Sequence, residues 1–318
     1  MRMPIGKGLA LLFSFILIFG IVLAGCAPAP GANQAGMDTP KKPGSINYPI
    51  KLKDQAGNLV TIEKQPQRIV SLIPSNTEIA YALNLGKQMV GVTANDDYPA
   101  EAKKLPKVGD WKINVEKVVE LKPDLVLANT ANGKETIDQL KKLGLKVLVL
   151  DAQSIRDVYK SIDLVGDATN RAWEADQLVA RMEKAKRDVF TKVARVSREK
   201  PVKVFVEISP DLFTAGGDTF MNELVTVAGG KNVAVDVKGW PQVSAEQVVK
   251  WNPDVIISTH GGEQEILERK GWSSIPAVKN KRVYSIDPNL TNRPGPRIVQ
   301  GIEQIAAVLY PEQFGGKK

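Results

Sequence analysis

Few side chains in this sequence can carry covalent or metal chemistry. The chain of 318 residues holds one cysteine, Cys26, and one histidine, His260. A disulfide framework or a thiolate zinc site is therefore out of reach, and any His-based triad or His-rich metal site would rest on His260 alone. There is no Gly-x-Ser-x-Gly elbow, no phosphate-cradling glycine loop and no cluster of metal ligands. The chain is expected not to be an enzyme and to hold no cofactor of its own. Asp96-Asp97 invites a cation. Two adjacent carboxylates nevertheless fall short of the about six to eight oxygens that calcium takes. What remains is recognition chemistry. Trp111, in Gly-Asp-Trp, and Trp240, in Gly-Trp-Pro, stand in polar loops, where an aromatic ring more often meets a ligand than a core.

Those residues need elements to hold them. A hydrophobic share of 43% supports a packed core, and the length suggests about two domains. The formal charge is +8, with 41 basic against 35 acidic residues from Cys26 onward. Bases and acids interleave, as in Glu183-Lys184-Ala185-Lys186-Arg187-Asp188. That pattern marks a solvated helix face, and no nucleic-acid partner is expected.

Residues 1–25 carry a short basic start, an apolar run over 9–24 and Leu23-Ala24-Gly25 before Cys26. This is the grammar of a secretory signal, and the run is shorter than the ~20 residues that span a bilayer. Leu-Ala-Gly-Cys resembles a bacterial lipobox. By that resemblance the Cys26 thiol is diacylated and becomes the mature N-terminus; the alternative is an ordinary signal with a chance cysteine. Residues 26–47, rich in Pro, Gly and Ala, read as a tether that holds a folded body off the membrane. The expected location is extracytoplasmic and lipid-anchored. Cys26→Ser is expected to release the protein from the membrane fraction, and unchanged retention on fractionation would contradict the anchor.

The body alternates buried-type strands with amphipathic helices, as in Arg68-Ile69-Val70-Ser71-Leu72-Ile73 followed by a polar turn at 74–78 and a helix over 79–85. Such alternation implies α/β lobes with mainly parallel sheets. Residues 154–200 contain no proline. Within them Ala175, Val179, Met182, Val189, Val193 and Val196 recur at helical spacing, predicting an amphipathic helix of about 30 residues, near 45 Å long. It divides an N-terminal lobe (48–153) from a C-terminal lobe (201–318).

An internal repeat sharpens this. Val115-Glu116-Lys117-Val118-Val119-Glu120-Leu121-Lys122-Pro123-Asp124-Leu125 matches Ala245-Glu246-Gln247-Val248-Val249-Lys250-Trp251-Asn252-Pro253-Asp254-Val255 at a constant offset of 130. Each copy reads as a short helix, a Pro-Asp turn and a buried strand, preceded by a tryptophan. Two like lobes on a stiff helix leave a cleft between them, and crevices beyond the carboxyl ends of parallel strands are where such sheets bind ligands.

From residue 68 to about 314 the sequence resembles the helical-backbone, class III substrate-binding proteins of bacterial ABC importers, a group that serves vitamin B12, ferric siderophores and haem. It is most like the B12-binding members. The resemblance rests on Ser71-Leu72-Ile73-Pro74-Ser75-Asn76-Thr77-Glu78, Val90-Gly91-Val92, Asp97-Tyr98-Pro99, Phe213-Thr214-Ala215-Gly216, Trp240-Pro241-Gln242-Val243-Ser244-Ala245-Glu246-Gln247-Val248 and Gly295-Pro296-Arg297-Ile298-Val299. It implies two Rossmann-like lobes joined by a backbone helix, a cobalt corrinoid (cobalamin or cobinamide) or another metal chelate in the cleft, and a permease with its cytoplasmic ATPase as partner. A monomer with small lobe closure is expected.

The resemblance also assigns residues. Trp111, Phe213 and Trp240 match aromatic positions lining the corrinoid cleft, where stacking holds a flat macrocycle. Ser75 and Asn76 belong to the matching Pro-Ser-Asn-Thr segment of that cleft. Asp287, Asn292 and Arg293 match a loop at the ligand's polar rim, while Arg297 is expected to be structural. Glu116 and Glu246 match carboxylates that dock onto permease arginines, one per lobe; the first-turn position, favoured by the helix dipole, is their other explanation. Asn95 and Asn129 stand where B12-binding members carry aromatics, so the cleft is expected to be more polar and to suit a truncated corrinoid. His260 follows a strand end and is a candidate axial ligand to cobalt or haem iron. A ferric siderophore or haem on the same scaffold is the alternative ligand.

Overall fold

The computed structural model describes residues 46–315. Cys26, the signal segment and all but the end of the tether (46–47) lie outside the described residues. A short antiparallel hairpin, β1 (Ile50–Lys53) and β2 (Leu59–Ile62), precedes two four-stranded parallel sheets. The first contains β3 (Ile69–Ser71), β4 (Met89–Gly91), β5 (Leu125–Ala128) and β6 (Val147–Val149) in the order β4-β3-β5-β6. The second contains β7 (Val202–Glu207), β8 (Gly230–Asn232), β9 (Val255–Ser258) and β10 (Val283–Ser285) in the order β8-β7-β9-β10. The two lobes thus share one topology. In each, the first strand sits between the second and the third, so the chain reverses direction across the sheet beside it, and a crevice opens at the strands' carboxyl ends.

The central strands are buried on both faces, which explains why β3, β5 and β9 carry consecutive rather than alternating apolar residues, β3 and β9 each ending in a buried serine. The first sheet is covered by α1 (Pro74–Ala82), α2 (Val115–Glu120), α3 (Lys134–Lys142) and α4 (Ile155–Thr169). After α5 (Ala172–Glu199) come α6 (Phe220–Val227), α7 (Ala245–Trp251), the short α8 (Glu263–Leu267), α9 (Pro276–Lys279) and α10 (Pro288–Thr291), and finally α11 (Ile298–Leu309).

The repeat is structural. Asn114 caps α2 by accepting from the Lys117 N–H, and Ser244 caps α7 by accepting from the Gln247 N–H, 130 residues on. The Pro-Asp turns have a shared purpose too. The Asp124 carboxylate accepts the Gln67 and Arg68 N–H groups at the entry to β3, and Asp254 accepts the Lys203 N–H in β7 at 2.9 Å. Each aspartate therefore pins the third strand of its lobe to the first.

The long helix is α5, 28 residues or about 42 Å at 1.5 Å per residue. Residues 154–200 are not one helix, however. α4 ends at Asn170, whose left-handed backbone (φ 60°) turns the chain into α5. α5 packs on α4 and also on α6 and α11. Gly166 of α4 lies so close to Ala175 that a Cβ there would meet it at 2.7 Å. Val193, near the other end, lies against Gly229 of the second lobe. One apolar core runs from Leu125 and Leu127 through Met182 and Val193 to Val204 and Ile257, spanning both lobes. Separate clusters fill the far face of each sheet.

One local expectation is corrected. Residues 74–78 are not a turn before the helix: Pro74 occupies its first turn, where a preset φ and a missing N–H cost nothing. Ser75, Asn76, Thr77 and Glu78 are consequently helical and buried.

Candidate functional site

A cleft of about 630 Å³ opens between the lobes, within the roughly 300–1,000 Å³ usual for small-molecule sites. Its walls come from the carboxyl-end loops of β3 (Leu72, Ile73, Pro74, Ser75), β4 (Thr93, Ala94, Asn95, Asp97) and β5 (Ala131, Asn132). Asp110 and Trp111 add one rim, and Pro288, Asn289, Asn292, Arg293 and Pro294 close it from the second lobe.

Trp111 is 85% exposed at the tip of a tight turn whose stem is the Gly109–Ile113 bridge. Gly109 is required there: φ is +128°, and a Cβ would meet the Lys112 carbonyl at 2.3 Å. An indole left in water on the wall of a cleft is apolar surface available to a ligand. Phe213 and Trp240, 39% and 51% exposed, sit on neighbouring strips joined by the Phe213–Gln242 bridge and a hydrogen bond from the Thr214 N–H to the Pro241 carbonyl. Both lie beyond the carboxyl end of β7 and outside the lining of this cleft.

Of the other expected ligand-facing residues, Ser75, Asn95, Asn292 and Arg293 line the cleft. Asn76, Asn129 and Asp287 do not, and in each case the backbone claims the side chain. Asn76 donates to the Ala128 carbonyl at 3.0 Å. Asn129 donates to the Leu150 carbonyl and accepts the Ala131 N–H, capping the turn that follows β5. Asp287 accepts the Asn289 N–H as the cap of α10. Asn289, two residues beyond Asp287, does line the cleft; Asn132 borders it as well, but its Oδ1 accepts the Asn129 N–H and its Nδ2 donates to the Leu72 carbonyl at 2.9 Å.

His260 does not stand open to a metal through Nε2, which lies 3.1 Å from the wholly buried Glu207. Arg269 also grips that carboxylate, at 2.7 and 2.8 Å, and stacks on Trp272. Among the described residues no group of three or more His, Cys, Asp or Glu could hold a metal ion.

The floor of the cleft holds a feature absent from the expectations, an ion cluster that joins the lobes. Glu78, on α1 of the first lobe, is 3% exposed. Both oxygens accept from Arg297 (Nε to Oε2 2.8 Å, Nη2 to Oε1 2.6 Å), and Oε1 also meets Arg293 at 3.2 Å. Arg293 Nη1 donates to Asp97 Oδ1 at 2.6 Å, and the Arg297 guanidinium lies 4.0 Å from the Tyr98 ring centre. Burial works to raise the Asp97 carboxyl, but the hydrogen bond and charge of Arg293 outweigh it and hold it below its ordinary range. The Glu78 hydrogen bond chiefly raises Arg297, against its partial burial. Behind the wall, burial raises Asp96, which accepts from the Thr93 N–H and hydroxyl, so it ties the β4 loop together rather than facing the cleft.

Glu116 and Glu246 are exposed in the first turns of α2 and α7, at equivalent places on the two lobes. Its own backbone N–H and the Ser244 hydroxyl hold the Glu246 carboxyl below its usual range, keeping it ionised.

Two parallel-sheet lobes on a long helix, with a ligand-sized cleft at the strand ends, have the architecture of a substrate-binding protein. The chain belongs to the periplasmic binding protein family, whose model matches residues 69–290. It is 45% identical over 310 residues to the uncharacterized ABC transporter substrate-binding lipoprotein YvrC of Bacillus subtilis, covering 95% of this chain and 98% of that protein. It is 35% identical over 253 residues to the vitamin B12-binding protein of Yersinia pestis, covering 78% of this chain and 88% of that one. Among solved structures it is similar to a possible iron-binding (periplasmic solute-binding) protein from Staphylococcus epidermidis, with 39% identity and a TM-score of 0.70 over 78% of this chain and all of the other. Among the described residues no helix is long and apolar enough to cross a membrane.

Proposed function

We propose that this protein captures a corrinoid, cobalamin or cobinamide, outside the cytoplasm and delivers it to the permease of an ABC importer. The observation that carries the reading is the cleft lining: an exposed indole, Trp111, beside a wall that includes Asn95, Asn289 and Asn292. A corrinoid offers a flat apolar macrocycle rimmed with amides, and amides pair with amides and hydroxyls without charge. The 35% identity to a vitamin B12-binding protein supports the same choice. The ligand brings its own metal, so the protein needs no ligating cluster. Lipid anchoring through Cys26, docking through Glu116 and Glu246, and contacts from Phe213 and Trp240 in a closed form belong to this proposal.

The second reading, a ferric siderophore or haem in the same cleft, is favoured by the 39% identity to a possible iron-binding protein. Tryptophan quenching by cyanocobalamin, dicyanocobinamide, haemin and ferric siderophores separates the two. Saturable quenching by a corrinoid at lower concentration than by haemin or any siderophore is expected. Quenching by the iron chelates alone would transfer the protein to the second reading.

A further inference from the structure

The cleft has one cationic group in its lining, Arg293, and that group is already engaged. Its Nη1 lies 2.6 Å from Asp97 and 3.2 Å from Glu78, and Nη2 reaches the Asn95 carbonyl. Glu78 cannot release it at no cost, because the same carboxylate is gripped by Arg297 on the buried floor. A second lining carboxylate, Asp110, faces no lining cation and accepts the Lys112 N–H. Two carboxylates therefore stand against one guanidinium in the lining. Adding Glu78 and Arg297 beneath leaves that balance unchanged.

We propose that Asp97 is the residue that sets the charge class of the ligand: by occupying Arg293 it makes the cleft accept neutral or cationic chelates and refuse anionic ones. The proposal rests on the importer-cleft reading above and narrows its ligand class. An anionic chelate would have to displace Asp97 from Arg293 and lie beside Asp110, and like charges brought together within a binding cleft are a means of rejecting wrong partners. A ligand rimmed with amides or hydroxamates meets no such opposition. Asp97 is the adjustable member of the cluster. Its side chain is 46% exposed, against 2% for Glu78, so removing its charge frees one side of Arg293 and leaves the buried lobe-to-lobe pair in place.

Two ligand pairs of matched shape and opposed charge test this on the purified full chain. Dicyanocobinamide and dicyanocobyrinic acid share a corrin ring, with amides in the first and carboxylates in the second. Ferrichrome is a neutral ferric trihydroxamate, and ferric enterobactin is a trianionic tricatecholate. The wild type is expected to prefer the neutral member of whichever pair it binds by at least tenfold. Asp97→Asn is expected to shrink that preference at least tenfold, and Asp97→Glu to keep it. Equal wild-type affinity for both members, an unchanged ratio in a folded Asp97→Asn protein, or binding of none of the four would overturn the proposal. The wild-type ratio alone decides if Asp97→Asn fails to fold. Preference for ferrichrome over ferric enterobactin with neither corrinoid bound would remove the corrinoid reading and leave the charge rule standing.

Discussion

Replacing Glu116 and Glu246 together with alanine is expected to abolish ligand uptake by whole cells while leaving affinity for the ligand within about twofold. Both carboxylates are exposed, and neither lines the cleft. They occupy the same turn of equivalent helices, and the repeat that places them, cap, helix, Pro-Asp turn and strand, is held in each lobe by the same aspartate-to-backbone bonds. A two-lobed protein meeting a two-fold partner needs one anchor per lobe, so either single change should reduce uptake and the pair should end it. An exposed first-turn glutamate interacts with the helix dipole only weakly and is screened by salt, so the fold should persist. Transport of a labelled corrinoid alongside equilibrium binding checks both halves. Lost affinity in the double variant, or retained uptake, would refute the docking role.

The largest stability effect is expected at Glu78. Glu78→Gln preserves the shape but leaves Arg297 and Arg293, whose side chains are 15% and 16% exposed, without the carboxylate that they share. Breaking one side of a buried ion pair typically costs about 3–5 kcal/mol, because the surviving charge stays desolvated. At roughly 2–4 °C per kcal/mol for a protein of this size, the midpoint should fall by about 6–12 °C at the lower end of that cost. Because the cluster joins α1 of one lobe to the segment before α11 of the other, the loss should also loosen the lobes. Thermal melting monitored by circular dichroism measures the first effect. A midpoint within about 2 °C of wild type would mean that the cluster adds little beyond what solvent supplies.

The parts of this architecture legible in the sequence were the local ones. The 130-residue repeat could be read because each copy carries its own cap, its own Pro-Asp turn and its own apolar strand within a dozen residues. The bridging helix declared itself by apolar spacing. The break at Asn170 did not, since a left-handed asparagine leaves no proline or glycine to mark it. Amide residues were the hardest to assign. Asn129 and Asn289 are the same residue type, yet the side chain of one caps a turn and the other lines the cleft, and only the backbone path decides which. Glu78 had no local signal at all: its partners lie 215 and 219 residues away. The same holds for His260, whose partner Glu207 is 53 residues distant on a neighbouring strand. Residue type shows what chemistry is available, and long-range pairing determines how much of it remains free.

That distinction makes Trp111 the sharpest test, because it is 85% exposed on the cleft wall. Calorimetric titration of dicyanocobinamide and cyanocobalamin into the wild type and Trp111→Ala should give one saturable site per chain in the wild type. In the variant, affinity should be weaker by about 30-fold, the equivalent of a ~2 kcal/mol aromatic contact, with an unchanged melting temperature. No heat of binding from either corrinoid, or equal affinity in wild type and Trp111→Ala, would contradict capture of a corrinoid in this cleft.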